Sequence, residues 1–141
     1  MAYDPSNIFA KILRGEIPAY RVYEDERTLA FMDVMPQSDG HTLVVPKSPA
    51  ENIFDLDPAM AAAVIQSGQK LARAVKHAFN ADGVMLVQYN GPAAGQTVFH
   101  FHLHVVPRYA DQPLRSHGRS MADARLLEEH AQRLRAAPQA G

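Results

Sequence analysis

The stretch His100-Phe101-His102-Leu103-His104 decides how the middle of this sequence folds. Side chains alternate between the two faces of a β-strand, so a strand here places three imidazoles on one face and apolar side chains on the other. Helical spacing would scatter the histidines around the axis. The pattern therefore predicts a half-buried strand that carries a row of histidines, about 6.5 to 7 Å between neighbours.

Three roles are open to such a row. Single histidines are most often structural, but three at a period of two add little packing and repel one another when protonated. Imidazole is also a common zinc ligand, yet His100 and His104 would lie about 13 Å apart, too far to share one ion. A zinc site would need outside ligands, and His41 is the one candidate in a strand-like setting. The third role is nucleophilic catalysis by one histidine with support from its neighbours.

Composition limits the class of protein. The chain has 141 residues, a net charge of −1 and no cysteine. This length suffices for one domain with a proper core, and the near-zero charge argues against binding a nucleic-acid backbone. The lack of cysteine excludes disulfides and fits a reducing compartment. Neither a signal peptide nor a membrane span is visible, so we expect a cytoplasmic protein with no nucleic-acid or membrane partner.

Hydrophobic periodicity predicts the remaining elements. Helices are expected at 7–14, 58–79 and 122–136, with Ser6 capping the first and Asp57 the second. Strands are expected at 21–24, 28–33, 42–46 and 84–89, besides the histidine strand. Gly68 is a mild defect within the long helix. A basic stretch follows the histidine strand, and a solvated surface is its favoured interpretation; it comprises Arg108, Arg115, His117 and Arg119.

The sequence resembles the histidine triad superfamily of nucleotide hydrolases and transferases. Residues 100–106 are similar to its His-x-His-x-His-x-x motif, and the Gly-Gln-Thr-Val segment at 95–98 is similar to the block before it. The Gly-His-Thr-Leu-Val-Val-Pro-Lys stretch at 40–47 and the segment at 8–18 follow in the family's order. The resemblance covers about residues 6–110. It implies one domain over 1–141, an α+β fold whose antiparallel sheet of about five strands carries a long helix and short terminal helices, with a C-terminal extension from about 111.

The resemblance also implies a nucleotide site. His102 would be the nucleophile, with His100 and His104 beside it and His41 orienting it or relaying protons. Asp33 would accept hydrogen bonds from the ribose hydroxyls, with Val34 beside it. Apolar residues would line the base pocket: Ile8, Phe9, Ile12, Ile17 and Phe31. Hydrogen-bond donors would contact phosphate oxygens: Asn90, Gln96 and Thr97.

The implied reaction is attack by His102 on the α-phosphorus of a purine nucleotide, which gives a covalent nucleotidyl-histidine that water hydrolyses. Neutral imidazole is a competent nucleophile near pH 7. An acceptor, for example the backbone carbonyl of His100, would hold its other nitrogen, and His104 would hydrogen-bond the phosphate oxygens or the leaving group. No metal or other cofactor is required, and AMP or GMP would be product or ligand.

Several departures leave alternatives open. Some family members bind structural zinc through a Cys-x-x-Cys pair, where this chain has Asn7 and Ala10, so we expect no structural zinc. The blocks match the phosphoramidase and dinucleoside-polyphosphate branches in part, so the leaving group stays undecided. A nucleotide-binding sensor that turns over very slowly is the main alternative, and a zinc-dependent hydrolase is a more distant one. The family commonly forms homodimers, and we expect one here.

Overall fold

The computed structural model describes residues 3–115 and 120–137. His117 and Arg119 of the expected basic stretch lie outside these ranges. Across the described residues, none of the helices combines the length and apolar character that a membrane crossing requires.

The described residues form a five-stranded antiparallel sheet with three α-helices. The helices are α1 (Ile8–Leu13), α2 (Pro58–Ala78) and α3 (Ala124–Ala136), and a single 3₁₀ turn covers Pro92–Ala94. The strands are β1 (Arg21–Glu24), β2 (Thr28–Met32), β3 (Thr42–Pro46), β4 (Gly83–Val87) and β5 (Leu103–Arg108). Their order in the sheet is β1-β2-β3-β5-β4, and every neighbouring pair is antiparallel. This architecture confirms the predicted α+β fold.

Strand alternation divides the core into two clusters on opposite faces of the sheet. Ala30 and Met32 of β2 pack in the cluster that includes α2 and α3. Leu29 and Phe31, their neighbours in the same strand, pack in a smaller cluster with α1. In β5, Leu103 and Val105 belong to the α2 cluster. Since successive side chains point to opposite faces, His104 lies on the face that α1 covers.

Helix α2 begins where the sequence predicts, but Gly68 within it has a different role from the one expected. The Asp57 side chain accepts a hydrogen bond from the Ala59 N–H at 2.8 Å, and Pro58 occupies the first turn. A Cβ atom at Gly68 would stand 2.7 Å from Cδ2 of Leu103. Gly68 therefore allows α2 to lie close against the histidine strand, and it is a packing residue instead of a mild defect.

Helix α1 is capped by a different residue from the one predicted. Ser6 donates its hydroxyl to Asp4 at 2.6 Å, whereas the Asn7 side chain accepts from the Ala10 N–H at 2.9 Å. The helix therefore starts one residue later than expected. One or both ends also differ from the predicted ends, by one or two residues, in β2, β4, α2 and α3.

The paired part of the histidine strand is shorter than predicted. Pairing with β3 runs from Leu103, which lies opposite Val44, to Val105. Before this point, the Phe101 N–H bonds to the Ala50 carbonyl at 2.8 Å, and the Pro46 carbonyl accepts from the His100 ring at 2.8 Å. The prediction of a regular strand from His100 was wrong because these groups bond outside the ladder.

Candidate active site

Three histidines of one short segment are buried beside α1. His100, His102 and His104 expose 1%, 6% and 6% of their surface. The ring of Phe9 meets the His102 ring edge-on at 4.9 Å between centroids, and the His102 and His104 rings are 5.1 Å apart. Buried imidazoles need partners for both ring nitrogens, so their hydrogen bonds decide which tautomer each adopts.

His102 has the geometry of a nucleophile. Its Nδ1 lies 2.7 Å from the carbonyl oxygen of His100, as expected from the sequence. A carbonyl only accepts, so Nδ1 carries the proton and donates. In the neutral ring the lone pair is then on Nε2, the atom required for attack on an electrophile.

His100 is held at both nitrogens and serves as a support. Its Nε2 lies 2.8 Å from the Pro46 carbonyl and must donate, so Nδ1 accepts from the Tyr3 hydroxyl at 2.6 Å. Burial lowers the pKa of His100, the Pro46 carbonyl opposes this, and a positive charge on His102 would lower it further. His100 is therefore neutral near pH 7.

His41 and His104 form a hydrogen-bonded chain with a defined direction. The Gln37 N–H donates to Nδ1 of His41 at 3.0 Å, so the neutral His41 ring carries its proton on Nε2. That Nε2–H faces Nδ1 of His104 at 3.0 Å and an Asp33 carboxylate oxygen at 3.4 Å. His104 thus accepts at Nδ1 and presents an N–H at Nε2. His41 therefore orients His104 directly.

In the described part of the chain, one group of three could supply metal ligands: Asp33, His41 and His104, whose ligand atoms lie within 4.8 Å of one another. The donor set does not fit an ion. Because Nδ1 of His41 accepts from the Gln37 N–H, binding a metal at Nε2 would require a ring without either proton. The zinc positions of the family do not fit either, since Asn7 caps α1 and Ala10 has no ligand atom.

A glycine-rich loop leads into the histidine segment. Gly91 and Gly95 adopt φ values of +92° and +103°, which residues with a Cβ rarely tolerate. Gln96 braces this loop: its side-chain oxygen accepts from the Gly91 N–H at 2.8 Å, and its amide donates to the Glu51 carbonyl at 2.6 Å. The same amide donates to the Val98 carbonyl at 3.0 Å. Both amide hydrogens of Gln96 thus bond to protein carbonyls in this structure, and a phosphate contact by Gln96 stays a prediction.

Asn90 is also engaged within the protein. Its side-chain oxygen accepts from the Ile53 N–H at 2.7 Å, and its amide donates to the Gln88 side chain at 2.7 Å. Thr97 is exposed and lines a cavity of about 470 Å³ together with Ile8 and Val98. Of the three residues expected at phosphate, Thr97 is the one that the structure places at an open surface.

Most of the expected base-pocket residues lie together. Phe9, Ile12 and Phe31 are buried in the α1 cluster, and Ile17 packs against it. Ile8 is 46% exposed and lies on the outer side of the same helix. Val34 packs against the α2 cluster on the other face, so the structure does not bring it to this group.

Asp33 is placed differently from a freely accessible ribose ligand. It is 5% exposed, and one carboxylate oxygen accepts from the Met35 N–H at 2.8 Å. The other lies beside His41. Sequence reasoning assigned neither contact.

Sequence reasoning also missed residues that act through the backbone or from far along the chain. These are Tyr3, Gln37 and Pro46, whose hydroxyl, N–H and carbonyl fix the histidine tautomers. Tyr89, whose ring lies 5.6 Å from that of His104, is another. A tyrosine near the chain start carries no pattern that signals such a contact.

Comparison with known proteins identifies the class. The HIT domain family model matches residues 14–111, and the chain belongs to that family. It is 44% identical to Protein hit of Bacillus subtilis over 102 residues, 72% of this chain and 70% of that one. It is 36% identical to the adenylylsulfatase HINT3 of Arabidopsis thaliana over 116 residues, 78% of this chain and 59% of that protein. The crystal structure of a HIT-like protein involved in cell-cycle regulation from Bartonella henselae has a TM-score of 0.89 and 48% identity, covering 96% of this chain and 98% of its own.

Proposed function

We propose that this protein is a hydrolase or nucleotidyl transferase that cleaves purine nucleotide derivatives at the α-phosphate, through a covalent intermediate on His102. The observation that carries the proposal is the 2.7 Å bond from Nδ1 of His102 to the His100 carbonyl, which leaves the lone pair on Nε2. The family supports it, since the HIT family includes nucleotide hydrolases and one relative is named an adenylylsulfatase.

Two displacements make up the proposed reaction. In the first, Nε2 of His102 forms a bond to the α-phosphorus while the bond to the leaving group breaks, and the leaving group takes that electron pair. In the second, water attacks the phosphorus and releases one proton to solvent, the Nε2–P bond breaks, and its electron pair returns to the ring. The Nε2–H of His104 donates to the leaving atom or a phosphate oxygen, and His41 keeps it in the donating tautomer.

We also propose which residues contact the base and the phosphate of the nucleotide. The apolar group of Phe9, Ile12, Ile17 and Phe31 would hold the base, and Thr97 would donate to phosphate. AMP or GMP is the expected product. The expected cytoplasmic location and the absence of nucleic-acid and membrane partners stay predictions, and cell fractionation tests the first.

One observation favours a second function, that of a slow nucleotide sensor. Gln96 uses both amide hydrogens within the protein and Asn90 uses one of its two, which reduces the number of donors expected to stabilise phosphate charge. Fewer donors mean weaker stabilisation of the transition state. Such a protein would bind AMP well and turn over rarely.

We expect the purified protein to release AMP from an adenosine phosphoramidate or a diadenosine polyphosphate when the two are offered separately. Release chiefly from the phosphoramidate would define a phosphoramidase, and release chiefly from the dinucleotide a polyphosphate hydrolase. The measurement is AMP formed over time, with calorimetric binding of AMP in parallel. Binding of AMP without release from either substrate above an enzyme-free blank would contradict the hydrolase and favour the sensor.

We also propose a homodimer in which two sheets join at β4. The opposite edge, β1, is covered, because the Arg135 side chain donates to the Arg21 carbonyl at 2.7 Å. In the described chain β4 pairs on one side only, with β5, and Leu86 on it is 43% exposed.

Leu86→Lys should therefore convert a dimer to a monomer, because a buried lysine without a partner opposes the contact. Sedimentation equilibrium measures the mass, and Leu126→Lys on α3 is the matched control that should remain dimeric. A wild-type monomer at high concentration, or an unchanged Leu86→Lys dimer, would contradict this interface.

A further inference from the structure

The hydroxyl of Tyr3 contacts the histidine segment from the beginning of the chain. It lies 2.6 Å from Nδ1 of His100, 97 residues away in sequence, and the two rings meet edge-on at 5.7 Å. Tyr3 precedes residues 14–111, the range that the family model matches. It is outside the base group and the loop, so the function proposed above gives it no role.

The contact completes the hydrogen bonding of a fully buried ring. His100 is 1% exposed and donates from Nε2 to the Pro46 carbonyl, so its Nδ1 has a lone pair that needs a donor. The Tyr3 hydroxyl is that donor. Without it, Nδ1 would be a buried acceptor that favours either a rotated ring or an altered tautomer.

Hydrogen bonds to the backbone just after Tyr3 fix the turn that positions it for this contact. The Asn7 amide donates to the Asp4 carbonyl at 2.8 Å, and Arg14 donates to the Pro5 carbonyl at 2.9 Å. The helix that follows carries Phe9, whose ring meets His102 at 4.9 Å. One short segment thus touches two of the three histidines, one through a hydroxyl and the other through an apolar ring.

We propose that Tyr3 is a positioning residue for the nucleophile: it holds the His100 ring, and through it the carbonyl that keeps the proton of His102 on Nδ1. The inference rests on the proposed function of His102. Tyr3 itself contacts neither of the reacting atoms. Its effect is on the orientation of His102, so it should alter the rate of chemistry more than the binding of nucleotide.

Tyr3→Phe keeps the ring and removes only the donor. We expect kcat to fall about tenfold with KM changed less than about twofold, since a small misplacement of a reacting group costs rate more than affinity. Tyr23→Phe is the matched control, because it also removes one hydroxyl, which donates to Asp25 at 2.9 Å and accepts from Lys70 at 3.2 Å on the α2 face of the sheet. Its kcat should equal that of the wild type. Equal kcat in Tyr3→Phe and Tyr23→Phe would overturn the proposal.

A second readout does not depend on turnover. Nitrogen-15 NMR of the histidine rings reports the tautomer of each imidazole. In Tyr3→Phe we expect the His100 Nδ1 signal to shift and His102 to change from one Nδ1–H tautomer to a mixture. A shift confined to His100, with His102 unaltered, would overturn the proposal even if the wild type proved inactive. Inactivity of the wild type alone would instead contradict the function proposed for His102.

Discussion

Replacement of His102 by alanine is expected to lower turnover about 10⁴-fold or more, as loss of a covalent nucleophile does in other enzymes. The reason is geometric. Among the three histidines of residues 100–104, His102 is the one whose Nδ1 donates to a backbone carbonyl, so the lone pair of its neutral ring is on Nε2. His100 and His41 have both nitrogens engaged by protein groups. Nucleotide binding should change only a few-fold, because the base group and Thr97 are untouched.

The measurement is kcat by AMP release, with the affinity for AMP determined by calorimetry. His77→Ala is the matched control, since His77 is exposed on α2 and its loss should leave both values unchanged. Turnover in His102→Ala within about tenfold of the wild type is the outcome that the proposed mechanism excludes. Loss of both turnover and AMP binding would assign His102 to the binding site instead.

The second large effect concerns His104. We expect His104→Ala to lower kcat about 10²- to 10³-fold for a substrate with a basic leaving group, because one positioned donor to a developing charge contributes that much in comparable sites. The hydrogen-bond chain from Gln37 through His41 makes Nδ1 of His104 an acceptor, so the proton of the neutral ring is on Nε2. A less basic leaving atom accepts a weaker hydrogen bond and depends less on that donor.

A pair of substrates tests this directly. With a nitrophenyl ester of AMP, the loss in His104→Ala should shrink to about tenfold or less, while with an alkyl phosphoramidate it stays large. For each substrate, kcat of the variant is divided by kcat of the wild type. A smaller folded fraction of the variant would lower both ratios equally and would not change their comparison. Equal losses with both leaving groups would contradict the proposed contact to the leaving atom and would leave His104 as a donor to phosphate oxygens.

Local patterns predicted the framework because they reflect local physics. A tight turn before 28–33 and the apolar run at 42–46 indicated strands, and both strands divide their side chains between two core clusters. Asp57 and Pro58 predicted the start of the long helix, because both residues favour the geometry of a first helical turn. The family resemblance implied an acceptor for His102, and the His100 carbonyl that was named as an example is the one found.

The remainder depends on contacts between distant residues. Gln96 had the donors for phosphate, but the carbonyls of Glu51 and Val98 take them, and no sequence pattern places Glu51 beside this loop. The cap of α1 moved from Ser6 to Asn7 because Asp4 takes the serine hydroxyl. The packing role of Gly68 could not be predicted, because it depends on the close approach of Leu103 from a distant part of the sequence. These features follow from tertiary packing, which propensity and spacing do not encode.

The stereochemical course at phosphorus tests the covalent intermediate most directly. A substrate with a chiral α-phosphorothioate is hydrolysed in water enriched in oxygen-18, and the configuration of the resulting thiophosphate is determined. Two in-line displacements, first by Nε2 of His102 and then by water, predict overall retention of configuration. Inversion would mean that water attacks the phosphorus in a single step, and it would contradict the account of His102 as the nucleophile.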